Sequence, residues 1–330
     1  MTSDPINRLK NAPVPLFAIV MGMTGLALAL QAAASAVGVP IWVGLTAYLI
    51  AFSLFGLISI TYTTKAILHP DAVRSEWHHP VKLAFFPAIS ISLLLLSTAS
   101  LTHAPVLALP LWIIGMIGQG GLTIAVVSGW IGMRSFQTGA LSPAWFIPAV
   151  GNVIVPLAGV PLGYIETSWY FMSVGLIFWV ILMTLVVNRL IFHDPMPGRL
   201  QPTLVILIAP PAVAFVAWMQ LNGGVVDGFA RILLNGAYLF TLIVAVQLPR
   251  MVSLPFSLSF WALSFPIAAA SIASFRFAEA TGSTPHVAIG AVLLVALIIG
   301  VAVLLTKTGA GVISGAIFKE EAAPKPAPAA

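Results

Sequence analysis

The chain has 330 residues, of which 60% are hydrophobic and only 7% charged, with a mean hydropathy of +1.06; a soluble domain carries roughly 25% charged residues. That composition excludes a water-soluble fold and implies an all-α integral membrane protein. Cysteine is absent, which excludes disulfides and thiolate metal sites, and the net charge of +5 is spread between apolar runs rather than gathered in a basic patch with interleaved aromatics, so nucleic acid is not implied as a partner.

Apolar runs of about 20 residues, enough to cross a bilayer as a helix, recur ten times: 14–34, 41–64, 82–102, 106–130, 144–164, 168–189, 202–220, 226–247, 257–278 and 285–306. The first follows Arg8 and Lys10 and ends in QAAASA, which looks like a cleavable leader. It is read as a retained span, because its removal would leave an odd number of spans and place the termini on opposite sides. Of the fourteen Lys and Arg, twelve fall at the termini or after even-numbered spans: Arg8, Lys10, Lys65, Arg74, Lys82, Arg134, Arg189, Arg199, Arg250, Lys307, Lys319 and Lys325. Arg231 and Arg276 fall on the other side. By the positive-inside rule both termini are cytoplasmic. The expected organisation is a cytoplasmic N-terminus over 1–13, a transmembrane domain over 14–306, and a largely disordered Pro/Ala tail over 307–330.

Connections after odd spans are short and nearly uncharged (VGVP, THAP, IET, NGGV), while those after even spans are longer and basic. The spans therefore pair as five hairpins, repeating about every 60 residues. The odd spans also share a proline pattern: Pro80 and Pro87, Pro143 and Pro148, Pro202 and Pro210, Pro255 and Pro266. The first of each pair suits the start of a helix. The second falls inside the apolar run, where it removes a hydrogen bond at a cost of roughly 3 kcal/mol. One such proline is tolerated in a membrane helix. A set recurring once per hairpin is read as inner helices bent around a shared axis, with straighter helices outside. In the first span Val20 stands where a proline would, and Gly22 and Gly25 are the expected source of flexibility.

Ionisable groups are nearly missing from the middle of the spans: Glu166, Asp227 and Glu279 lie at their outer ends. A proton-coupled carrier keeps such a group at mid-membrane; a channel does not need one. Gln119, Asn152, Asn235 and Gln247 are read chiefly as polar links between helices, with Asn152, one turn beyond Pro148, the best candidate for the path itself. His69, His78 and His79 lack metal-ligand spacing, and His79-Pro80 is expected to cap the third span. Asp227 and Arg231, four apart, read as a surface pair. No nucleophile motif or phosphate loop is present, so neither enzymatic activity nor a metal or organic cofactor is expected.

EWHHPVKLAFFP leading into the third span, SPAWFIPAVGN in the fifth, APPAVAF in the seventh and WALSFPIAAASIASFRF in the ninth resemble the tellurite-resistance/dicarboxylate transporter family. Bacterial TehA and the plant slow anion channels of guard cells belong to it. The resemblance runs from Pro15 to about Leu305 and implies five hairpins in quasi-five-fold arrangement around a central pore, three such subunits forming a homotrimer with one pore each. It implies a gate at Phe265 and kinks at Pro87, Pro148, Pro210 and Pro266 but carries none over to the first span, where Gly22, read from the residues themselves, is the expected kink. Pro266 would turn Phe265 toward the axis, with Ala262 and Ala269 leaving room for the ring. Residues 265, 269, 272 and 276 share a helical face, which puts Arg276 near the outer mouth. The activity implied is a weakly selective channel for small inorganic anions such as chloride or nitrate, in a bacterial inner membrane. The alternative is a dicarboxylate, sulfite or tellurite-related carrier of the same fold.

Overall fold

The computed structural model describes residues 5–133, 136 and 138–318. Arg134, Lys319 and Lys325, and the expected tail from residue 319 onward, lie outside the described residues. Among the described residues no strand occurs, and nine helices are long and apolar enough to cross a membrane: Val14–Val37, Ile41–Leu68, Lys82–His103, Pro105–Gly132, Ile165–Phe192, Gly198–Leu221, Gly228–Val252, Leu258–Thr281 and Thr284–Ile313. The fifth expected span is present as a shorter apolar run, Pro143–Gly159, assembled from alternating 3₁₀ and α pieces. The last helix continues past residue 306 to Ile313.

Burial separates odd from even spans. Spans 1, 3, 7 and 9 are 89, 83, 72 and 67% buried, against 28% for each of spans 2, 4, 6, 8 and 10. The even spans turn Leu57, Ile60, Ile177, Val246 and Ile299 outward, a surface that would aggregate in water and suits lipid. The odd spans touch in the order 1, 3, 5, 7, 9 and back to 1, a closed ring. Each even span packs on its hairpin partner and on the next odd span along. Since lipid removes the hydrophobic drive between helices, close approach must do the work. Glycines supply it in spans 4, 6 and 10, where a Cβ on Gly115, Gly175 or Gly290 would stand 2.9, 2.5 and 2.8 Å from Leu94, Val153 and Phe275 of the same hairpin, while Gly44 and Gly236 leave ordinary contact distance.

Every odd span begins in 3₁₀ geometry. Val14–Leu16 leads into α-helix Phe17–Val37, Lys82–Phe85 into Ala88–His103, Gly198–Ile208 into Ala209–Leu221 and Leu258–Leu263 into Ser264–Thr281; in span 5, Pro143–Trp145 and Gly151–Ile154 flank Phe146–Val150. The second prolines stand at or beside these junctions: Pro87 caps its α segment, Pro210 is second in its own and Pro266 third. Register explains the placement. A 3₁₀ donor reaches back three residues and an α donor four, so at the switch one carbonyl would face two donors unless one is missing. Proline removes it. In span 3 Phe86 N–H bonds Leu83 O and Ile89 N–H bonds Phe86 O, each three residues back, before Ile91 N–H reaches four back to Pro87 O, so in this span Pro87 sits in the last 3₁₀ turn, just ahead of the switch. Standing before or within the first turn of their α segments, where N–H groups lack an intrahelical acceptor, Pro87, Pro210 and Pro266 escape the cost expected of a proline inside a uniform α-helix. Gly22 stands differently, since the α-helix passes through it unbroken. A Cβ there would lie 2.8 Å from Ser264 Cβ and 2.9 Å from Trp261 Cε3, so this glycine lets span 1 close against span 9.

Glycine also ends spans 1 and 9, where Gly38 (φ 73°) and Gly282 (φ 71°) adopt the left-handed cap that other residues resist. At the opposite end of the bundle the buried Lys65 Nζ donates to Glu76 Oε2 at 2.8 Å and to Ala12 O at 2.7 Å. Tyr62 OH donates to the same carboxylate oxygen at 2.8 Å, tying the start of span 1 to the end of span 2 and to the short helix Pro70–His78. His79 Nδ1 accepts from Val81 and Lys82 N–H at 3.1 and 3.3 Å, capping the lead-in to span 3. Arg8 lies 3.5 Å from where a Cβ on Gly315 would stand, so the start of the chain and the end of span 10 share this face.

Candidate functional site

All five odd spans contribute to one cavity of about 60 Å³. Span 1 supplies Met21, span 3 Phe85, span 5 Phe146 and span 7 Pro210, while span 9 supplies Trp261, Ala262, Phe265 and Pro266. No lining residue is ionisable. An apolar space of this size has room for a few waters and offers them no free polar side-chain partner, since the one indole N–H of its lining is donated to Thr308, the condition under which a narrow passage dewets. Phe265 is buried, and its ring rests on span 1: a Cβ on Gly25 would stand 3.3 Å from Phe265 Cδ2 and 3.0 Å from Ala268 Cβ. The room for the ring thus comes from Gly25 across the helix interface as well as from Ala262 beside it.

The other sequence candidates divide. Ala262 lines the cavity together with Phe265, Pro210 and Pro266. Ala269 is buried one turn further along span 9 and Pro87 is set back from the lining. Pro148 turns its carbonyl the other way, accepting from Gln119 Nε2 at 3.2 Å and Thr123 Oγ1 at 2.8 Å. Asn152 is not brought to the cavity. Its Nδ2 donates to Thr123 Oγ1 at 3.0 Å and Ala149 O at 2.6 Å, because in the tight 3₁₀ turn Gly151–Ile154 it is Gly151, Val153 and Ile154 that face inward. Gln119 completes this seam by accepting from Ser90 Oγ at 2.8 Å, so span 4 bridges spans 3 and 5 at their proline junctions.

Arg276 is exposed and paired with Glu279 at 2.9 Å, which leaves no net charge at that end of span 9. Asp227 and Arg231 do not form the surface pair their spacing suggests: Asp227 caps span 8 through Ala230 N–H at 2.8 Å, and Arg231 lies over the Phe277 ring at 5.4 Å. Capping wins because the first turn of a helix has donors to satisfy. Asn235 faces outward and bonds Arg231 O of its own helix. Phe85, Phe146 and Trp261 are lining residues that the sequence reading did not single out. For two of them the signal was present: FFP and FIP place Phe85 and Phe146 two residues before a junction proline, as FP places Phe265 one before, whereas Trp261 has no such mark.

Nine apolar helices long enough to cross a membrane among the described residues, with the inner ones closed around an apolar cavity, mark a multi-pass membrane protein. Comparison with known proteins agrees. Residues 11–309 match the family described as voltage-dependent anion channel, SLAC1, and the chain belongs to that family. It is 30% identical to the S-type anion channel SLAH3 of Arabidopsis thaliana over 84% of its own length and 44% of the relative's. It is 28% identical to the tellurite resistance protein TehA homolog of Haemophilus influenzae, over 91% of this chain and 92% of that one. The uncharacterized transporter MJ0576 of Methanocaldococcus jannaschii is 25% identical over 94% and 96%. The chain spans about half the length of the first plant relatives it matches, 44, 45 and 53%.

Proposed function

We propose that the cavity is the closed conduction path of an anion channel and that Phe265 is its gate. One observation supports this above the others: a single space receives side chains from all five odd spans and is bordered by the Phe265 ring. The junction prolines, with Gly22 and Gly25 in span 1, shape the inner ring, and Ala262 forms the wall beside the gate. Neither Asn152 nor Arg276 is given a part in conduction, the first being engaged with span 4 and the second neutralised by Glu279.

Anion preference follows from field rather than from a binding site. The termini and the basic connections are assigned to the cytoplasm by the positive-inside rule, in a bacterial inner membrane, and the cations there raise the local anion concentration. The apolar wall then discriminates by size and ease of dehydration, which suits small ions of the chloride or nitrate kind. A coupled carrier is disfavoured because no lining group can change charge during a cycle. The homotrimer implied by the family resemblance is tested by cross-linking in native membranes, where three linked subunits are the expected limit.

The decisive experiment is steady-state current through purified protein in planar bilayers under a chloride gradient. Phe265→Ala is expected to raise current at least about tenfold, the effect of removing about 1.4 kcal/mol or more from a closed state. Because the ring already borders empty space, its loss is expected to cost less than the roughly 3–5 kcal/mol of a packed phenylalanine. A variant that folds yet passes no more current than the parent defeats the gate.

A further inference from the structure

Among the side chains lining the cavity there is a single nitrogen or oxygen, Trp261 Nε1; the rest are alkyl, aromatic or thioether. A buried indole N–H needs an acceptor. It finds one outside the inner ring: Trp261 Nε1 donates to Thr308 Oγ1 of span 10 at 2.9 Å, and both residues are buried. Trp261 stands one turn before Phe265 and borders the same cavity. On the span 1 side its ring is confined, since a Cβ on Gly22 would stand 2.9 Å from Trp261 Cε3. Its backbone is held as well, Ser264 Oγ donating to Trp261 O at 2.6 Å. With span 1 on one side and Thr308 on another, the open direction for the indole is the cavity.

We propose that Thr308 is a positioning residue of the passage: its hydroxyl holds Trp261 back from the cavity, so the end of span 10, an outer helix, sets the width of the path. The inference rests on reading this cavity as the conduction path. Losing the hydroxyl leaves the indole N–H buried without a partner, and turning into the cavity, which admits water once the Phe265 ring is removed, relieves that penalty. The path then narrows.

Thr308→Val keeps the shape of the side chain and removes the acceptor; Thr308→Ser keeps the acceptor. In the conducting Phe265→Ala background, Thr308→Val is expected to lower current about fivefold, the population shift equivalent to about 1 kcal/mol for one hydrogen bond, whereas Thr308→Ser leaves it unchanged. Trp261→Phe removes the donor, so adding Thr308→Val to it is expected to change nothing further. Full current in Thr308→Val, or an equal loss with and without Trp261→Phe, overturns the inference. Should Phe265→Ala itself be silent, the gate reading fails separately and a second measurement decides. The natural chain has no cysteine, so Ala262→Cys gives a single thiol in the cavity wall. Its modification by a sulfonate-bearing methanethiosulfonate reagent is expected to slow about fivefold with Thr308→Val, the same hydrogen-bond equivalence applying. Equal rates overturn the positioning role, and no modification in either protein overturns it together with the conduction path.

Discussion

The inner and outer spans solve the same problem, crossing about 30 Å of hydrocarbon, with different backbones. Span 6, Ile165–Phe192, and span 10, Thr284–Ile313, are α-helical throughout. Span 7 opens with an 11-residue 3₁₀ run, although such runs seldom pass 3–4 residues because their hydrogen bonds are poorer. Backbone facing lipid has to be satisfied largely within its own helix, whereas backbone enclosed by protein has neighbours to complete it. The outer ring therefore shelters the inner one. Being drawn out to about 2.0 Å per residue rather than 1.5 Å, the inner segments reach the same depth with fewer residues and bring aromatic rings to the axis just ahead of the α segments. The contrast suggests that outer spans carry stability and inner spans carry conduction, a division that substitutions can test.

The largest effect on stability is expected at the join between the two rings. Glu76 is buried and accepts from Lys65 Nζ and Tyr62 OH, so Glu76→Ala leaves an enclosed ammonium without its counter-charge, at about 3–5 kcal/mol. A fall in melting temperature in detergent checks this. The pair Lys65→Met with Glu76→Leu is expected to recover most of the loss, since an apolar replacement removes the unpaired charge altogether. Failure of that rescue would mean that the cluster holds the start of span 1 through Ala12 O more than through the ion pair.

A smaller and sharper contrast lies between two glycines. At Gly290 of span 10 a Cβ would stand 2.8 Å from the Phe275 ring, in a seam far from the cavity lining. Gly290→Ala is expected to cost about 1–3 kcal/mol of overpacking and to leave the current of the Phe265→Ala protein unchanged. Gly25→Ala presses on Phe265 Cδ2 from 3.3 Å. It is expected to shift the ring and raise wild-type current a few-fold, by the leverage of about 1 kcal/mol on a closed state, with some fall in melting temperature because Ala268 Cβ, 3.0 Å from the added methyl, yields only with its backbone. Equal behaviour of the two variants would erase the division between rings.

Much of this fold was legible because hydrophobic length and charge report directly on a bilayer. The expected runs 41–64, 82–102 and 285–306 reappear as Ile41–Leu68, Lys82–His103 and Thr284–Ile313, and the pairing of spans followed from short uncharged turns. The backbone of the inner spans was not legible. Hydropathy cannot distinguish 3₁₀ from α, so Pro87 and Pro210 read as kinks in continuous helices when they mark changes of helix type. Asn152 was misplaced for the same reason: counting one α turn from Pro148 points it inward, and the 3₁₀ turn carries it to Thr123. Trp261 was missed because an indole in an apolar run looks like packing until its Thr308 partner, 47 positions away, is seen.

The finest test compares two prolines. Pro110 lies inside the α-helix of outer span 4, and Pro266 is third in the α segment of inner span 9. If proline in the inner ring matches a change of helix type, restoring its N–H gives the α-helix a donor with which to grow backward into Leu258–Leu263. Each residue converted from 3₁₀ to α shortens that segment by about 0.5 Å and turns it by about 20°, carrying Trp261 and Ala262 away from their places in the cavity wall. Pro266→Ala is therefore expected to alter current in the Phe265→Ala background while changing stability by less than about 1 kcal/mol. Pro110→Ala meets no such junction, so the new donor completes an ordinary helix, and the expected outcome is a modest gain in melting temperature with unchanged current. Were Pro266→Ala also to stabilise the protein and leave current alone, the inner proline would be one more tolerated membrane proline, and the 3₁₀ halves would owe their geometry to packing rather than to the missing donor.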